Sequence, residues 1–291
     1  MSPTITLLGF ASGIAANDSN CALGPWYLYY HPHLLQHITP PVTFQTIITS
    51  TSALKGKDVL SEVEKNLQEL SQAVLPYAQK KEKFCVIGGD HSCAIGTWSA
   101  VAHANRSQGD IGLIWIDAHM DSHTPETSQT QNIHGMPVAH LLHHGIANLC
   151  HILDDQPKLK PQNICLIGIR SYEEGEQQLL EQLGVKIYYM EEVTQRGIQV
   201  VLNEAIEQVR ADTCGFGVTI DMDGIDPNDA PGVGYRECDG IDGQQLQEAL
   251  RTLPHKERLL GLEITEFNPI QDQDDKTAVL LASFIQAVFE P

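Results

Sequence analysis

The sequence has few basic residues. Lys and Arg together number 18, against 37 Asp and Glu, in a chain of 291 residues. The formal net charge of −19 repels nucleic acid and anionic lipid and attracts cations. We therefore expect no nucleic-acid partner and no membrane partner, and a small cationic substrate fits this charge. The same acidity is also compatible with high solubility alone.

Long apolar runs are absent as well. The first residues, MSPTITLLGF, contain neither the basic segment nor the long apolar stretch of a secretory signal, and no run is long enough to span a membrane. We therefore expect a cytoplasmic protein. The sequence also lacks low-complexity blocks, linker-like stretches and repeats of fixed period, which favours one domain over residues 1–291.

Cysteine is infrequent, and its spacing is not that of a metal site. The seven cysteines are odd in number and include no CxxC pair. This argues against a disulfide framework and against a thiolate zinc site. Cys85, Cys165 and Cys214 lie in or beside apolar runs, where a free cysteine usually behaves as a small core residue.

Short apolar runs alternate with helical patterns along the chain. Seven runs, bounded by polar residues or glycine, are typical of buried parallel strands; they lie at 5–10, 84–89, 111–116, 164–169, 185–190, 216–220 and 259–264. Apolar residues at helical spacing occur in 58–75, with Pro76 near the expected end, and in 173–184, 193–210, 242–253 and 277–289. This alternation predicts a three-layer α/β/α domain with a mostly parallel sheet, which binds ligands at the carboxyl ends of its strands.

Acidic residues and histidines follow four of the predicted strands where each strand ends. The segments are GGDHS (88–92), DAHMD (117–121), DMDGIDP (221–227) and TEFNP (265–269). Asp117 and His119 alternate, as do Asp221 and Asp223, so each pair would face one side of its strand. We therefore expect these side chains to converge at one edge of the sheet.

The expected cluster contains two imidazoles and four carboxylates. Four carboxylates at close range repel one another unless cations lie among them. Two divalent ions bridged by shared aspartates would use all six ligands, whereas one ion would leave some of them idle. Oxygen-rich ligation without thiolate favours Mn²⁺, with Zn²⁺, Fe²⁺, Co²⁺ and Ni²⁺ as alternatives. The predicted ligands are His91, Asp117, His119, Asp121, Asp221 and Asp223.

A simple turn or a calcium loop accounts for these motifs less well than a metal centre. A lone DxHxD is most often a capped turn, but here three further strand ends carry similar residues. DMDGIDP is not a calcium loop, because Gly224 is its fourth residue rather than its sixth and Gly232 replaces the glutamate at position twelve. The histidines of HPH (31–33) and of HLLHH (140–144), the latter on an expected helix with His140 and His144 on one face, are more typical of surface or capping residues.

Five motifs resemble, in order, those of the ureohydrolases, the binuclear manganese family that includes arginase and agmatinase: GGDHS, DAHMD, NIHGMPV (132–138), IDMDGIDP (220–227) and LEITEFNP (262–269). Residues 185–198 and the EFNP motif are nearest to the arginase branch. The resemblance implies an eight-stranded sheet, two Mn²⁺ per subunit and assembly as trimers or hexamers. It also implies hydrolysis of the guanidinium of L-arginine to L-ornithine and urea through a metal-bridging hydroxide.

The resemblance further implies a role for each site residue. His91, Asp117, Asp121 and Asp221 would hold one ion, and Asp117, His119, Asp221 and Asp223 the other. Asp121 would also accept a proton, His134 would shuttle protons, and Glu266 would hold the guanidinium. Beyond these, the carboxylate and ammonium groups of the substrate would meet His123, Thr130, Asn132, Glu173 and Glu176.

The sequence departs from the family pattern in this outer part of the pocket. His123 stands where the family has Asn, Thr130 where it has Ser, and Ser171 and Glu173 where it has Asp, whereas Asn132 and Glu176 match. Agmatine, guanidinobutyrate and formimidoylglutamate are therefore alternative substrates for the same metal centre. A relative without activity, acting as a binding or regulatory protein, would have lost metal ligands, and all six are present here.

Overall fold

Eight strands form one parallel sheet in the computed structural model, which describes residues 4–50 and 58–290. The order of the strands across the sheet is β2-β1-β3-β8-β7-β4-β5-β6, and each neighbouring pair is parallel. The predicted fold class is confirmed. The strands are β1 Ile5–Ala11, β2 Val42–Thr49, β3 Phe84–Gly88, β4 Gly112–Ile116, β5 Ile164–Ile169, β6 Lys186–Tyr189, β7 Phe216–Asp221 and β8 Leu259–Thr265.

Helices cover both faces of this sheet. Successive strand residues alternate between two cores: Cys85 and Ile87 pack into one, and Phe84 and Val86 into the other. The α-helices of the described residues are α1 Leu23–Tyr30, α2 Asp58–Lys80, α3 Cys93–Asn105, α4 Pro137–Leu141, α5 Ala147–Cys150, α6 Glu174–Leu183, α7 Met190–Arg196, α8 Ile198–Arg210, α9 Gly243–Arg251 and α10 Lys276–Phe289. None of them is long and apolar enough to cross a membrane.

Several elements differ from the prediction for physical reasons. Strand β2 has no apolar run, because it lies at the edge of the sheet and most of its residues are not buried. Helix α3 has no amphipathic stripe, because nearly all its residues are buried. Helix α2 continues past Pro76 to Lys80, with Val74 and Ala78 buried on either side of the proline.

The expected helix over the HLLHH motif is shorter than predicted. Helix α4 ends at Leu141, and His143 adopts a left-handed backbone conformation with φ of 70°. His140 is buried, with Nδ1 2.8 Å from the Met136 carbonyl and Nε2 accepting the N–H of Ile146. The prediction that His140 and His144 share a helix face is therefore wrong. The His140 side chain instead contacts the backbone groups of Met136 and Ile146.

Candidate active site

The four strands whose ends carry the predicted cluster lie side by side. They are β3, β8, β7 and β4, in that order, at the middle of the sheet. Because the sheet is parallel, all four carboxyl ends open on the same edge, which is where open α/β sheets bind ligands. Strand β5, next to β4, adds the segment that contains Ser171 and Glu173 to the same edge.

The first group of potential ligands surrounds His91. The Nδ1 atom of His91 lies 2.9 Å from Asp221 Oδ2, 3.1 Å from Asp121 Oδ2 and 3.2 Å from Asp117 Oδ2. All four side chains are buried or nearly so. Despite these distances, Nδ1 makes no well-directed hydrogen bond within the described part of the chain. One nitrogen facing three carboxylate oxygens is an arrangement that fits a cation.

The second group surrounds His119 and shares Asp117 with the first. The Nδ1 atom of His119 lies 3.3 Å from Asp223 Oδ2 and 3.5 Å from Asp117 Oδ1. Asp117 therefore presents Oδ2 to the first group and Oδ1 to the second, the arrangement that a bridging ligand requires. The His119 side chain is 28% exposed, so the second group lies nearer to solvent.

The pKa values of the clustered aspartates reflect how close their charges lie to one another. Burial and the charge of Asp117 raise the pKa of Asp121 to about 6, and burial with Asp223 and Asp117 raises the pKa of Asp221 well above its usual value. Burial alone would also raise the pKa of Asp117, but His119 and His91 hold it below its ordinary range. Like charges this close are stable together only with protons or cations among them. The donor set therefore fits two divalent ions.

The backbone at the site is unusual at two acidic residues. Asp121 and Glu266 adopt left-handed conformations with φ of 48° and 61°, which are uncommon for residues other than glycine. The loop after β7 also passes very close to Asp117: a Cβ on Gly224 would lie 3.0 Å from its Cα. Only glycine permits that approach without displacing the ligand loop.

His134 and Glu266 lie together beside the cluster. His134 Nδ1 is 3.4 Å from Glu266 Oε1, and the same oxygen accepts the backbone N–H of His91. Burial lowers the pKa of His134, but contact with Glu266 outweighs it and raises the pKa to about 9. Bound divalent cations would shift this pKa downward. Asp90, from the GGDHS motif, instead accepts the backbone N–H groups of Ala15 and Ser92.

A cavity of about 370 Å³ opens above the cluster. Among the described residues that line it, none is Lys or Arg. All the residues predicted to bind the outer part of the substrate line this one cavity, together with Asn17 and Tyr235, which no sequence motif indicates. The predicted residues along the wall are His123, Thr130, Asn132, His134, Glu173, Glu176 and Glu266.

Two of the residues that depart from the family pattern, His123 and Glu173, contact each other. His123 Nε2 is 3.0 Å from Glu173 Oε2 and 3.5 Å from Glu176 Oε2, while Nδ1 is 3.0 Å from Thr127 Oγ1. Glu176 also accepts the backbone N–H groups of Ser122 and Glu173. Burial and the contact with Glu173 raise the pKa of Glu176 to about 8. The far wall of the cavity is therefore a compact group of two glutamates and one histidine.

Two carboxylates lie behind the histidine ligands and are not among the predicted site residues. Glu237 Oε1 lies 3.6 Å from His119 Nε2, and Glu263 reaches His91 through the hydroxyl of Thr219. The sequence signal for Glu263 is a single glutamate within an otherwise apolar strand run, LLGLEI. Glu237 has no such signal, because it lies in a loop far from His119 in sequence.

Comparison with known proteins agrees with this geometry. A family model described as the Arginase family matches residues 3–290. An arginase of Bacillus subtilis is 32% identical, with 99% of this chain and 98% of that relative covered, and an arginase of Bacillus caldovelox is 40% identical over 76% of this chain and 73% of that relative. The solved arginase structure from Bacillus caldovelox covers 100% of this chain and 99% of its own at a TM-score of 0.91 and 33% identity.

The fold, the paired ligand groups and these relatives define an amidinohydrolase, an enzyme that hydrolyses carbon–nitrogen bonds of amidine groups. Within that class, the chain belongs to the arginase family.

Proposed function

We propose that this protein is a binuclear manganese arginase that hydrolyses L-arginine to L-ornithine and urea. The observation that carries the proposal is the pair of ligand groups sharing Asp117 on the floor of a cavity whose described walls bear carboxylates and no Lys or Arg. A cationic guanidinium is the complementary ligand for such a cavity. The relatives described above bear the name arginase.

The six predicted ligands would hold the ions. His91, Asp117, Asp121 and Asp221 would hold one, and Asp117, His119, Asp221 and Asp223 the other. Asp117 is the bridge that the geometry supports; the second bridge, Asp221, is a prediction. Two divalent ions would lower the pKa of a water molecule between them and make a nucleophile available near neutral pH. One imidazole and several carboxylates per ion, without thiolate, favour Mn²⁺.

Side chains that line the cavity would bind the guanidinium and transfer the protons. Glu266 would pair with the guanidinium and orient its carbon toward the ligand cluster. Asp121 would accept a proton from the hydroxyl group added to the guanidinium carbon, and its place against His91 puts it at the floor of the cavity. His134, beside Glu266, would deliver a proton to the leaving amine.

The residues of the far wall favour arginine over two of the alternative substrates, formimidoylglutamate and guanidinobutyrate. Glu173 and Glu176 suit an α-ammonium, and His123, Thr130 and Asn132 would meet the α-carboxylate. Formimidoylglutamate and guanidinobutyrate carry a net negative far end, which the negative charge of the Glu173–Glu176 pair disfavours when no Lys or Arg is among the described lining residues. Agmatine, with a terminal ammonium and no carboxylate, is the alternative substrate that these charges also suit.

A substrate comparison tests the choice of arginine. The protein is stripped of metal with a chelator and reloaded with Mn²⁺, Zn²⁺, Co²⁺ or Ni²⁺, and kcat/KM is measured for all four substrates. We expect activity to vanish on chelation, to return best with Mn²⁺, and to be highest for arginine. A preference for agmatine or guanidinobutyrate would overturn the arginase assignment, and full activity without metal would overturn the metal chemistry.

A matched pair of variants tests the far wall. Glu173→Gln should raise KM for arginine more than KM for guanidinobutyrate, because the latter has no ammonium to lose. Glu174→Gln removes the charge of a neighbouring exposed residue at the start of α6, outside the cavity, and should leave both KM values near those of the unmodified protein. Equal effects of the two variants would contradict a contact between Glu173 and the substrate.

Three further proposals concern the domain organisation, the location and the assembly of the protein. Strands from Ile5 to Thr265 join one sheet, which supports a single domain over residues 1–291. We propose a cytoplasmic location and a trimer or hexamer, and light scattering of the purified protein measures the latter.

A further inference from the structure

We propose that Glu263, a buried residue of strand β8, is a positioning residue that acts through Thr219 to fix the orientation and the proton of His91. The inference rests on the proposed metal centre, because Glu263 would act on His91, a proposed metal ligand. We call the three residues the β8–β7–β3 relay: Glu263 in β8, Thr219 in β7, and His91 just after β3.

The contacts of the relay are continuous and shielded from water. Glu263 Oε1 accepts the Thr219 hydroxyl at 2.9 Å and the indole N–H of Trp98 at 3.2 Å. Thr219 Oγ1 is in turn 3.2 Å from His91 Nε2. The exposed fraction of each of these four residues is 1% or less. Because no water competes, these hydrogen bonds are stronger and more directional than surface ones.

The atom that carries each hydrogen follows from whether each group can donate or accept a hydrogen bond. Glu263 Oε1 also accepts the indole N–H of Trp98, so it acts as an acceptor, and the single Thr219 hydrogen is directed at it. The Thr219 oxygen then presents a lone pair to His91, and Nε2 of His91 must carry the hydrogen. In a neutral imidazole, this leaves Nδ1 with a free lone pair, aimed at Asp117, Asp121 and Asp221. That tautomer is the one that binds a metal at this position.

Packing alone does not make this choice. The imidazole of His91 stacks on Trp115, with ring centroids 4.2 Å apart and planes 16° apart. Stacking fixes the plane of the ring but does not determine which nitrogen carries the proton, and it permits a half-turn about the Cβ–Cγ bond, which leaves the plane unchanged. The relay supplies the missing restraint.

The carboxyl group of Glu263 lies buried with no cation beside it among the described residues. Within the described residues, Lys and Arg make no salt bridge with it, and its Oε2 atom is buried without a hydrogen-bond partner. A buried carboxyl group without a cation is costly, which favours a functional role for Glu263. A carboxylate behind a histidine ligand strengthens the bond between that histidine and its metal.

The test measures Mn²⁺ binding to the metal-free full chain by titration calorimetry, together with metal content after dialysis. The variants are Glu263→Gln, Thr219→Val, their double combination and Thr219→Ser. Each of the first two preserves side-chain volume, and Thr219→Ser keeps the hydroxyl. Glu263→Gln and Thr219→Val should each weaken Mn²⁺ binding by roughly 10- to 100-fold, and Thr219→Ser should restore most of the affinity.

The double variant separates a relay from a packing role. If Glu263 acts through Thr219, Glu263→Gln will have no further effect on Mn²⁺ affinity in the Thr219→Val background. Additive losses, or an unchanged affinity in Glu263→Gln, would overturn the relay while leaving the proposed function intact. Absence of Mn²⁺ binding by the unmodified protein would overturn both. Should Thr219→Val fail to fold, Thr219→Ala takes its place in the same cycle.

Discussion

Replacing Asp117 with Asn should remove both metal ions, although the change alters only one atom. Each carboxylate oxygen of Asp117 already accepts one N–H group: Oδ2 accepts the indole of Trp115 at 2.8 Å, and Oδ1 accepts the backbone of His119 at 2.7 Å. Each oxygen retains a lone pair for one of the two ligand groups. Each oxygen of Asp117 is therefore needed as an acceptor twice, once for an N–H group and once for a metal ion.

An amide cannot satisfy this geometry in either orientation. Whichever way the introduced NH₂ group points, it faces the N–H of Trp115 or of His119 at under about 3 Å, and one ion loses a ligand outright. An unsatisfied buried donor also costs about 1–3 kcal/mol of folding stability, with or without metal. The other ion keeps an oxygen ligand but loses the anionic charge of its bridge. We therefore expect metal content to fall from two ions per chain toward none.

Asp223→Asn is the matched control. Asp223 Oδ2 faces His119, while Oδ1 is buried without a hydrogen-bond partner among the described residues, so an amide nitrogen can occupy the Oδ1 position. This variant should keep the ion beside His91. The assay is elemental analysis of dialysed protein, with the electron paramagnetic resonance signal of coupled Mn²⁺ as a second measure. Two ions retained by Asp117→Asn, or greater metal loss in Asp223→Asn, would refute the bridging role of Asp117.

Two further predictions concern histidines. His134→Asn should lower kcat by roughly 10²- to 10⁴-fold, the scale of general acid–base groups, with metal content unchanged, since His134 belongs to neither ligand group; an emptied site would make it a ligand instead. His140 is buried and neutral, with a folded pKa lowered to about 4 by burial. Because the unfolded chain binds that proton near pH 6.5, the stability due to His140 is complete above this pH and is lost as the pH falls toward 4, up to roughly 3 kcal/mol. Denaturant unfolding of metal-free protein at pH 7 and pH 5 should show a smaller loss in His140→Gln than in the unmodified protein, and equal losses would contradict the assignment.

The sequence alone determined the elements whose pattern is local. Seven buried strands were predicted from apolar runs because a strand covered on both faces needs apolar residues at nearly every position. The positions of Asp117, His119, Asp221 and Asp223 followed from their place at strand ends. The edge strand β2 and the buried helix α3 were not predicted, because one lacks an apolar run and the other lacks a polar face.

The tertiary structure alone decided which distant residues meet. The sheet order sets β3, β8, β7 and β4 side by side, although β8 is the last strand of the chain, and this order brings His91 to Asp117. It also decided that Glu263 lies behind His91. No periodicity encodes such contacts, because they depend on which strands pair over long separations in sequence, as β3 pairs with β8. That choice is made by packing of the whole core rather than by local preference.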